Sequence, residues 1–304
     1  MTAVPQKYIR PDQEPPAFSD GNPLPNVPTI DMKKLVLGEA IDLELEKLHS
    51  TCKEWGLFQL VNHGVSSSLL EKLKYEIEEF FKLPLEEKMK YKIRPGDFEG
   101  YGTIVRSEDQ KLDWGDKFYV IMNPIHRRKP YLFNELTSSL RNTIESYFSE
   151  LQTLAMTLMG LMGKAFKMEI REMEELFEDG MQSMRMTYYP PCPQPELVVG
   201  LTPHSDATGI TILHQILSNG AYTSIEHRAT VNSEKERISI AMFFNPKFEA
   251  KIGPLTSILS PQNPPLFKSI GMEEYVKDFF SRNINGKSHL EKMRIKSGDG
   301  NTTA

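Results

Sequence analysis

A chain of 304 residues, 39% hydrophobic and 25% charged, has ordinary globular composition and room for one large domain or two small ones. A net charge of −5, with no basic run and no basic stripe interleaved with aromatics, argues against a nucleic-acid partner. Two cysteines, Cys52 and Cys192, cannot build a disulfide framework, so a reducing compartment and a cytoplasmic protein are expected.

The opening residues, MTAVPQKYIRPDQEPP, carry no apolar run of a secretion signal. The most apolar stretch, Leu154–Phe166, is interrupted by Lys164 and is too short to cross a bilayer. The expectation is a soluble protein with no membrane partner, monomeric by default.

Residues 1–26, rich in proline and polar side chains, read as an extended arm. Val27–Met32 is a strand candidate. Leu43–Gly56 has apolar residues at helical spacing and stops at glycine. Leu57–Gly64 reads as a strand ending in a turn. Ser66–Pro84 opens on serine caps and closes at proline, which predicts a helix. Residues 91–117 read as irregular. Ser138–Phe166 is the longest helix candidate, its methionines serving as core packing. A short helix follows at Glu169–Phe177. From Met184 the pattern turns to short strands: MRMTYYPPCPQP, ITILHQIL, YTSIEHRA and RISIAMFFNP. Helix returns at Gly271–Asn283, ahead of a polar tail after Ile295. Helices first and strands later predict an α+β fold, with helices packed on a β-sandwich or jelly roll.

His204 and Asp206 stand two apart, and on a strand their side chains would share a face. His227 lies in a later strand candidate. Two imidazoles and a carboxylate suit Fe(II) and leave coordination positions open. Alone, the three could be unrelated polar residues. Ten residues past His227, however, come Arg237 and Ser239. An arginine can grip a carboxylate through two parallel charge-assisted hydrogen bonds, and the serine hydroxyl can add a third. Tyr189, in TYYPPCP, offers a further phenol donor. Zinc on the same ligands is a weaker reading, because it leaves the R-x-S without a purpose. His63, in the VNHG turn, reads as structural. Phe243 and Phe244 alternate across a strand and read as core.

Taken together, VPTID, CKEWGLFQLVNHGV, EGYG, KLDWGD, YYPPCPQP, LTPHSDATGITIL, SIEHRATVN and ERISIAMFFNP resemble the plant 2-oxoglutarate- and Fe(II)-dependent dioxygenases. The resemblance runs from about Val27 to Ile295. It is strongest to the subgroup of senescence-related dioxygenases, codeine and thebaine O-demethylases and norcoclaurine-synthase-like proteins. It implies His204, Asp206 and His227 as iron ligands, with Arg237, Ser239 and Tyr189 on the far carboxylate of 2-oxoglutarate. It implies O2 as co-substrate, ascorbate as reductant, and a small aromatic or alkaloid-like substrate. The product would be hydroxylated, or demethylated with loss of formaldehyde, and 2-oxoglutarate would leave as succinate and CO2. Many relatives have asparagine where this chain has Thr187, so Thr187 receives no role.

The chain departs from that pattern in one place. Only 20 residues separate Asp206 from His227. The resemblance implies roughly 50, because several jelly-roll strands lie between the ligand-bearing ones. The join falls at Gln215–Ile216, and the start also looks short. The expected organisation is an arm at 1–26, a mostly helical dioxygenase region at 27–180, a shortened jelly-roll core at 181–250 that lacks central strands, and a helical C-terminal region at 251–304. In the 20-residue interval, Asn219-Gly220 is a hairpin-turn signal. Two functional classes stay open: an active oxygenase, or an inactive or unstable isoform acting, if at all, as a binding protein.

Overall fold

Three eight-residue stretches, each alternating in which face it buries, build the sheet that positions everything else. The computed structural model describes residues 3–10, 26–38, 41–168, 170–209, 212–281 and 287–296. Of the expected arm, residues 3–10 are docked rather than loose, and residues 11–25 lie outside the described residues, as do residues 297–304 of the tail.

A parallel pair, β1 (Thr29–Asp31) and β2 (Gln59–Val61), flanks α1 (Met32–Leu37) and α2 (Ile41–Glu54). The Asp31 carboxylate caps α1 by accepting the N–H groups of Lys33 and Lys34. Next come α3 (Ser67–Lys82), α4 (Leu85–Lys88), β3 (Gly100–Tyr101), β4 (Asp116–Asn123) and α5 (Pro130–Phe133). The 28-residue α6 (Ser138–Ala165) and α7 (Ile170–Phe177) follow. Both long helices begin as their sequences predict: Ser66 Oγ accepts the Leu69 N–H, and Thr137 Oγ1 accepts the Leu140 N–H. Glu169, the expected start of α7, lies outside the described residues. The second half holds β5 (Gln182–Tyr189), β6 (Leu201–His204), α8 (Ile212–Leu217), β7 (His227–Ala229) and β8 (Arg237–Phe244). It closes with β9 (Lys251–Ile252), β10 (Ile270–Gly271), α9 (Met272–Phe280) and α10 (Ser288–Met293).

Strands β3, β4, β5 and β8 form one antiparallel sheet in that order, and β6 pairs antiparallel with β7 in a second. One face of the large sheet is apolar. Phe118, Val120 and Met122 of β4 and Met184 and Met186 of β5 are buried against Leu73, Ile77 and Phe80 of α3 and Ile144 and Phe148 of α6. Ile238, Ile240 and Met242 of β8 pack on the same cluster. The positions between them, Lys117, Tyr119, Ser183, Arg185, Thr187, Tyr189, Arg237, Ser239, Ala241 and Phe243, therefore share the other face. The methionines of α6 are core residues, with Met159 and Met162 each 2% exposed. Both cysteines are free and buried, and burial pushes the Cys52 thiol up to about 12.

Three readings need correction. The sequence reading places no strand at 118–123 and treats 91–117 as irregular, but β4 runs from Asp116, paired with β5 over its length. ITILHQIL is not a strand: α8 occupies Ile212–Leu217, because Leu213, Ile216 and Leu217 sit at helical spacing and are all buried. A short apolar run cannot be assigned by periodicity alone, and burial on one helical face decides it here. Asn219 and Gly220, both with positive φ (51° and 85°), end this helix instead of turning a hairpin. The Gly220 N–H donates to the Gln215 carbonyl and the Asn219 N–H to that of Ile216.

Gly209 shows how closely the loop after the H-x-D lies on the sheet. Its N–H donates to the Phe244 carbonyl at 2.7 Å, and an added Cβ would stand 2.3 Å from that oxygen. The Gly209→Ala variant should lose about 1–3 kcal/mol of stability, the usual cost of overpacking. Urea denaturation measures it, and an unchanged midpoint contradicts the packing described.

Candidate metal centre

Strand β6 ends at His204 and β7 begins at His227, and the pairing sets these two residues opposite each other. Their rings lie 4.5 Å apart between centroids. Asp206 follows β6 in the loop, so it meets His204 through that loop and not by sharing a strand face as the sequence reading supposed. Its Oδ1 is 3.2 Å from His204 Nε2, and its Oδ2 is 3.8 Å from His227 Nε2. One ligand atom from each of the three lies within 4.8 Å of the others. Ser205 Oγ donates to the Ile225 carbonyl at 3.0 Å, which ties together the two chain segments that bring the ligands.

The tautomers suit a metal. His204 Nδ1 is 2.8 Å from the Thr202 carbonyl, and His227 Nδ1 is 3.4 Å from the Ile225 carbonyl. A carbonyl only accepts, so each Nδ1 carries a hydrogen, which leaves Nε2 as the atom each imidazole turns toward the cluster. His204 Nε2 is buried and makes no hydrogen bond, despite its closeness to Asp206. A buried imidazole nitrogen facing a carboxylate and a second imidazole is the donor set of a divalent metal site. Burial pushes the Asp206 carboxyl up, but His204, His227 and the Arg185 guanidinium outweigh it and hold the group below the ordinary carboxylate range. The carboxylate is therefore anionic at neutral pH, as a ligand must be.

A cavity of about 420 Å³ opens from this cluster, with His204 and Asp206 in its wall. Phe98, Tyr119, Phe243, Phe279 and Phe280 supply its aromatic side. Phe98 and Phe280 stack at 4.2 Å between ring centroids. Phe243 is thus a cavity residue and not core as read from sequence, whereas Phe244, on the other face, is 6% exposed and does belong to the core. Arg185, Lys117 and Arg10 bring positive charge to the same cavity, opposed by Asp113.

Arg237, Ser239 and Tyr189 share one face of the sheet with Arg185, but they do not line this cavity. Ser239 is opposite Thr187, and Arg237 is opposite Tyr189, with its guanidinium 5.3 Å from that ring. Arg237 is exposed, whereas Tyr189 is 3% exposed, and burial pushes its phenol pKa up. His63 behaves as a turn residue: its Nδ1 accepts the Val65 N–H. Arg185, Lys117, Asp113 and the aromatic wall received no role from sequence. Arg185 had a usable signal, since it sits four residues before Tyr189 and so on the same strand face.

Residues 27–138 match the family model described as non-haem dioxygenase in morphine synthesis N-terminal. Residues 180–216 and 213–246 match that of the 2OG-Fe(II) oxygenase superfamily, in two pieces. The chain is 44% identical to oxoglutarate-dependent flavonoid 7-O-demethylase 1 of Ocimum basilicum, covering 98% of this chain and 89% of that protein. The chain belongs to the 2OG-Fe(II) oxygenase superfamily. It is 46% identical to codeine O-demethylase of Papaver somniferum over 88% of this chain and 85% of that one, within the subgroup expected from sequence. A crystal structure of JOX2 in complex with 2OG, Fe and JA superposes with a TM-score of 0.88 at 31% identity, covering 97% of this chain and 95% of that one. The mixed helix-and-sheet architecture is accordingly that of the jelly-roll oxygenases, whose enzymes use Fe(II) and 2-oxoglutarate. No helix among the described residues is long and apolar enough to cross a membrane.

The His227 side chain is 41% exposed and contributes little to the core. The His227→Ala variant should melt within a degree or two of the unaltered protein, yet lose high-affinity binding of Co(II), used as a stable probe for the iron site. Calorimetric titration reads the affinity, and an unchanged affinity removes His227 from the centre.

Proposed function

We propose that the chain is an oxygenase that hydroxylates or O-demethylates a small aromatic plant metabolite. The observation that carries this reading is the His204–Asp206–His227 cluster, with His204 and Asp206 in the wall of an aromatic-lined cavity. Fe(II) held there with 2-oxoglutarate would supply the oxidation of a C–H bond, the co-substrate leaving as succinate and CO2. The two histidines would present Nε2 and Asp206 its carboxylate, which fixes three positions on one side of an ion and leaves the rest open. Arg237 and Ser239, with Tyr189 beside them, would take the far carboxylate of 2-oxoglutarate. The aromatic wall would hold a planar substrate and exclude water from it. On this reading 27–180 is the supporting helical region, 181–250 the catalytic core and 251–304 a cover that contributes Phe279 and Phe280.

A second reading is favoured by particular observations. The superfamily model matches in two pieces that meet at 213–216, where the sequence reading placed its join. The alignment to the flavonoid demethylase spans 333 positions, more than the 304 residues of this chain, so gaps fall on this side. Among the described residues β8 pairs only with β5, and Arg237 is exposed. Together these support a core shortened between the ligands, in which Arg237 and His227 both lie open to solvent. An isoform of that kind would hold metal but turn over poorly, or serve only to bind.

One experiment separates the two. Purified protein with Fe(II), ascorbate and 2-oxoglutarate should release succinate above a His204→Ala control, and a methoxylated aromatic substrate should add formaldehyde. Succinate release equal to the control sinks the active reading. In an active protein, Arg237→Ala should raise KM for 2-oxoglutarate about ten- to hundred-fold, the worth of a lost charged hydrogen-bond pair. An unchanged KM removes Arg237 from the co-substrate.

A further inference from the structure

The large sheet and the metal ligands are joined by a buried carboxylate that the oxidation itself does not use. Asp113, in the KLDWGD segment, has a side chain only 10% exposed and four donors around it. Its Oδ1 accepts the Thr202 N–H at 3.1 Å, the Thr202 hydroxyl at 2.7 Å and Arg10 Nη2 at 3.0 Å. Its Oδ2 accepts Lys117 Nζ at 2.6 Å. Arg10 Nη2 also donates to Thr202 Oγ1 at 2.8 Å. Three of the four donors, the Thr202 N–H, the Thr202 hydroxyl and Arg10 Nη2, thus meet at Oδ1 around Thr202, two residues before the first metal ligand.

Thr202 needs such a support. The β6–β7 register breaks between Leu201 and His204, so the ladder does not hold the intervening residues, and Pro203 has no N–H to offer. The Thr202 carbonyl is nevertheless the acceptor that fixes the His204 imidazole through Nδ1. If Thr202 were free to turn, Nδ1 would lose its partner, and Nε2 its aim. Asp113 supplies from the side chain what the ladder lacks, gripping the Thr202 N–H and hydroxyl while its carbonyl grips the histidine.

We propose that Asp113 is a positioning residue for the metal centre, acting through Thr202 on His204, and that Arg10 makes the N-terminal segment part of that support. The proposal rests on the metal-site reading above. Residues 3–10 are built to deliver Arg10. The Arg10 N–H donates to the Leu197 carbonyl, the Val4 N–H donates to Gln194 Oε1, and the Leu112 N–H donates to the Lys7 carbonyl. Tyr8 meets Trp114, the neighbour of Asp113, edge-on at 5.2 Å between ring centroids. Two cations on a single buried carboxylate keep it anionic: burial pushes the Asp113 carboxyl up, and Lys117, Thr202 and Arg10 together hold it below the ordinary range. An outer partner of a metal-bound histidine typically contributes about ten- to hundred-fold in metal affinity.

The test compares the full chain with Asp113→Asn, Arg10→Gln and Thr202→Val, with Co(II) alone as the probe. Calorimetry gives the affinity, thermal melting gives stability, and the ¹⁵N shifts of the His204 ring give its tautomer. The expected result is a loss of about ten- to hundred-fold in Co(II) affinity for Asp113→Asn, smaller losses for the other two, and mixed tautomers at His204 in each. A purely structural Asp113 would lower the melting temperature and leave the affinity of the folded protein and the His204 ring unchanged, which overturns the proposal. Should Asp113→Asn fail to fold, wild-type affinity and a single His204 tautomer in both Thr202→Val and Arg10→Gln overturn it as well. No Co(II) binding by the unaltered protein overturns the metal-site reading itself, and the proposal falls with it.

Discussion

The centre depends on one strand pairing, His204 opposite His227, closed across an interval of only 20 residues. Without it Asp206 would sit between two imidazoles that never meet. The chain closes the interval with a helix rather than a hairpin. Leu213, Ile216 and Leu217 bury one face of α8, and Gly220 ends it, so the segment spends its apolar residues on the core before returning. Side chains then lock the return. Gln215 Oε1 accepts the Ser224 N–H, Ser218 Oγ accepts the Tyr222 N–H, and Asn219 bridges to Asn263 and Pro264. This is how a short connection keeps two ligands in register: backbone groups freed from a ladder, such as the Tyr222 and Ser224 N–H, find side-chain partners.

The sheet opposite carries the rest of the chemistry on one face. Period-two alternation puts apolar residues toward α3 and α6, and puts Tyr119, Ser183, Arg185 and Phe243 toward the cavity. The same alternation places Arg237 and Ser239 on the cavity side, yet at an end the cavity does not reach. His204 and the aromatic wall are thus enclosed, while Arg237 and His227 are exposed. For Arg237 this follows from β8 having, among the described residues, a single strand partner, β5. An edge strand leaves half its backbone groups and its flanking side chains open to solvent.

The sequence carried the long helices, three of the main strands and the triad, because each has a local signature: serine and threonine caps, alternation, and ligand types in a recognisable order. It did not carry β4, whose alternation follows a glycine-rich loop and was hidden by it. Nor did it carry α8, because a six-residue apolar run fits helix and strand alike until its burial is known. Asp113 was visible only as part of a motif. Its role needs Thr202, 89 positions away, and Arg10, 103 positions away in the other direction. Contacts of that span are set by the fold, and no spacing along the chain announces them. The docked residues 3–10 were missed for the same reason: their composition reads as an arm, but Val4 and Tyr8 pack beside Trp114.

His204, Asp206 and His227 are proposed to form one metal site in this short chain. X-ray absorption of the Fe(II)-loaded protein tests it most directly, since scattering from imidazole rings counts the histidines bound. Two imidazoles on the iron are expected, falling to one in His227→Ala. One imidazole or none in the unaltered protein would contradict it.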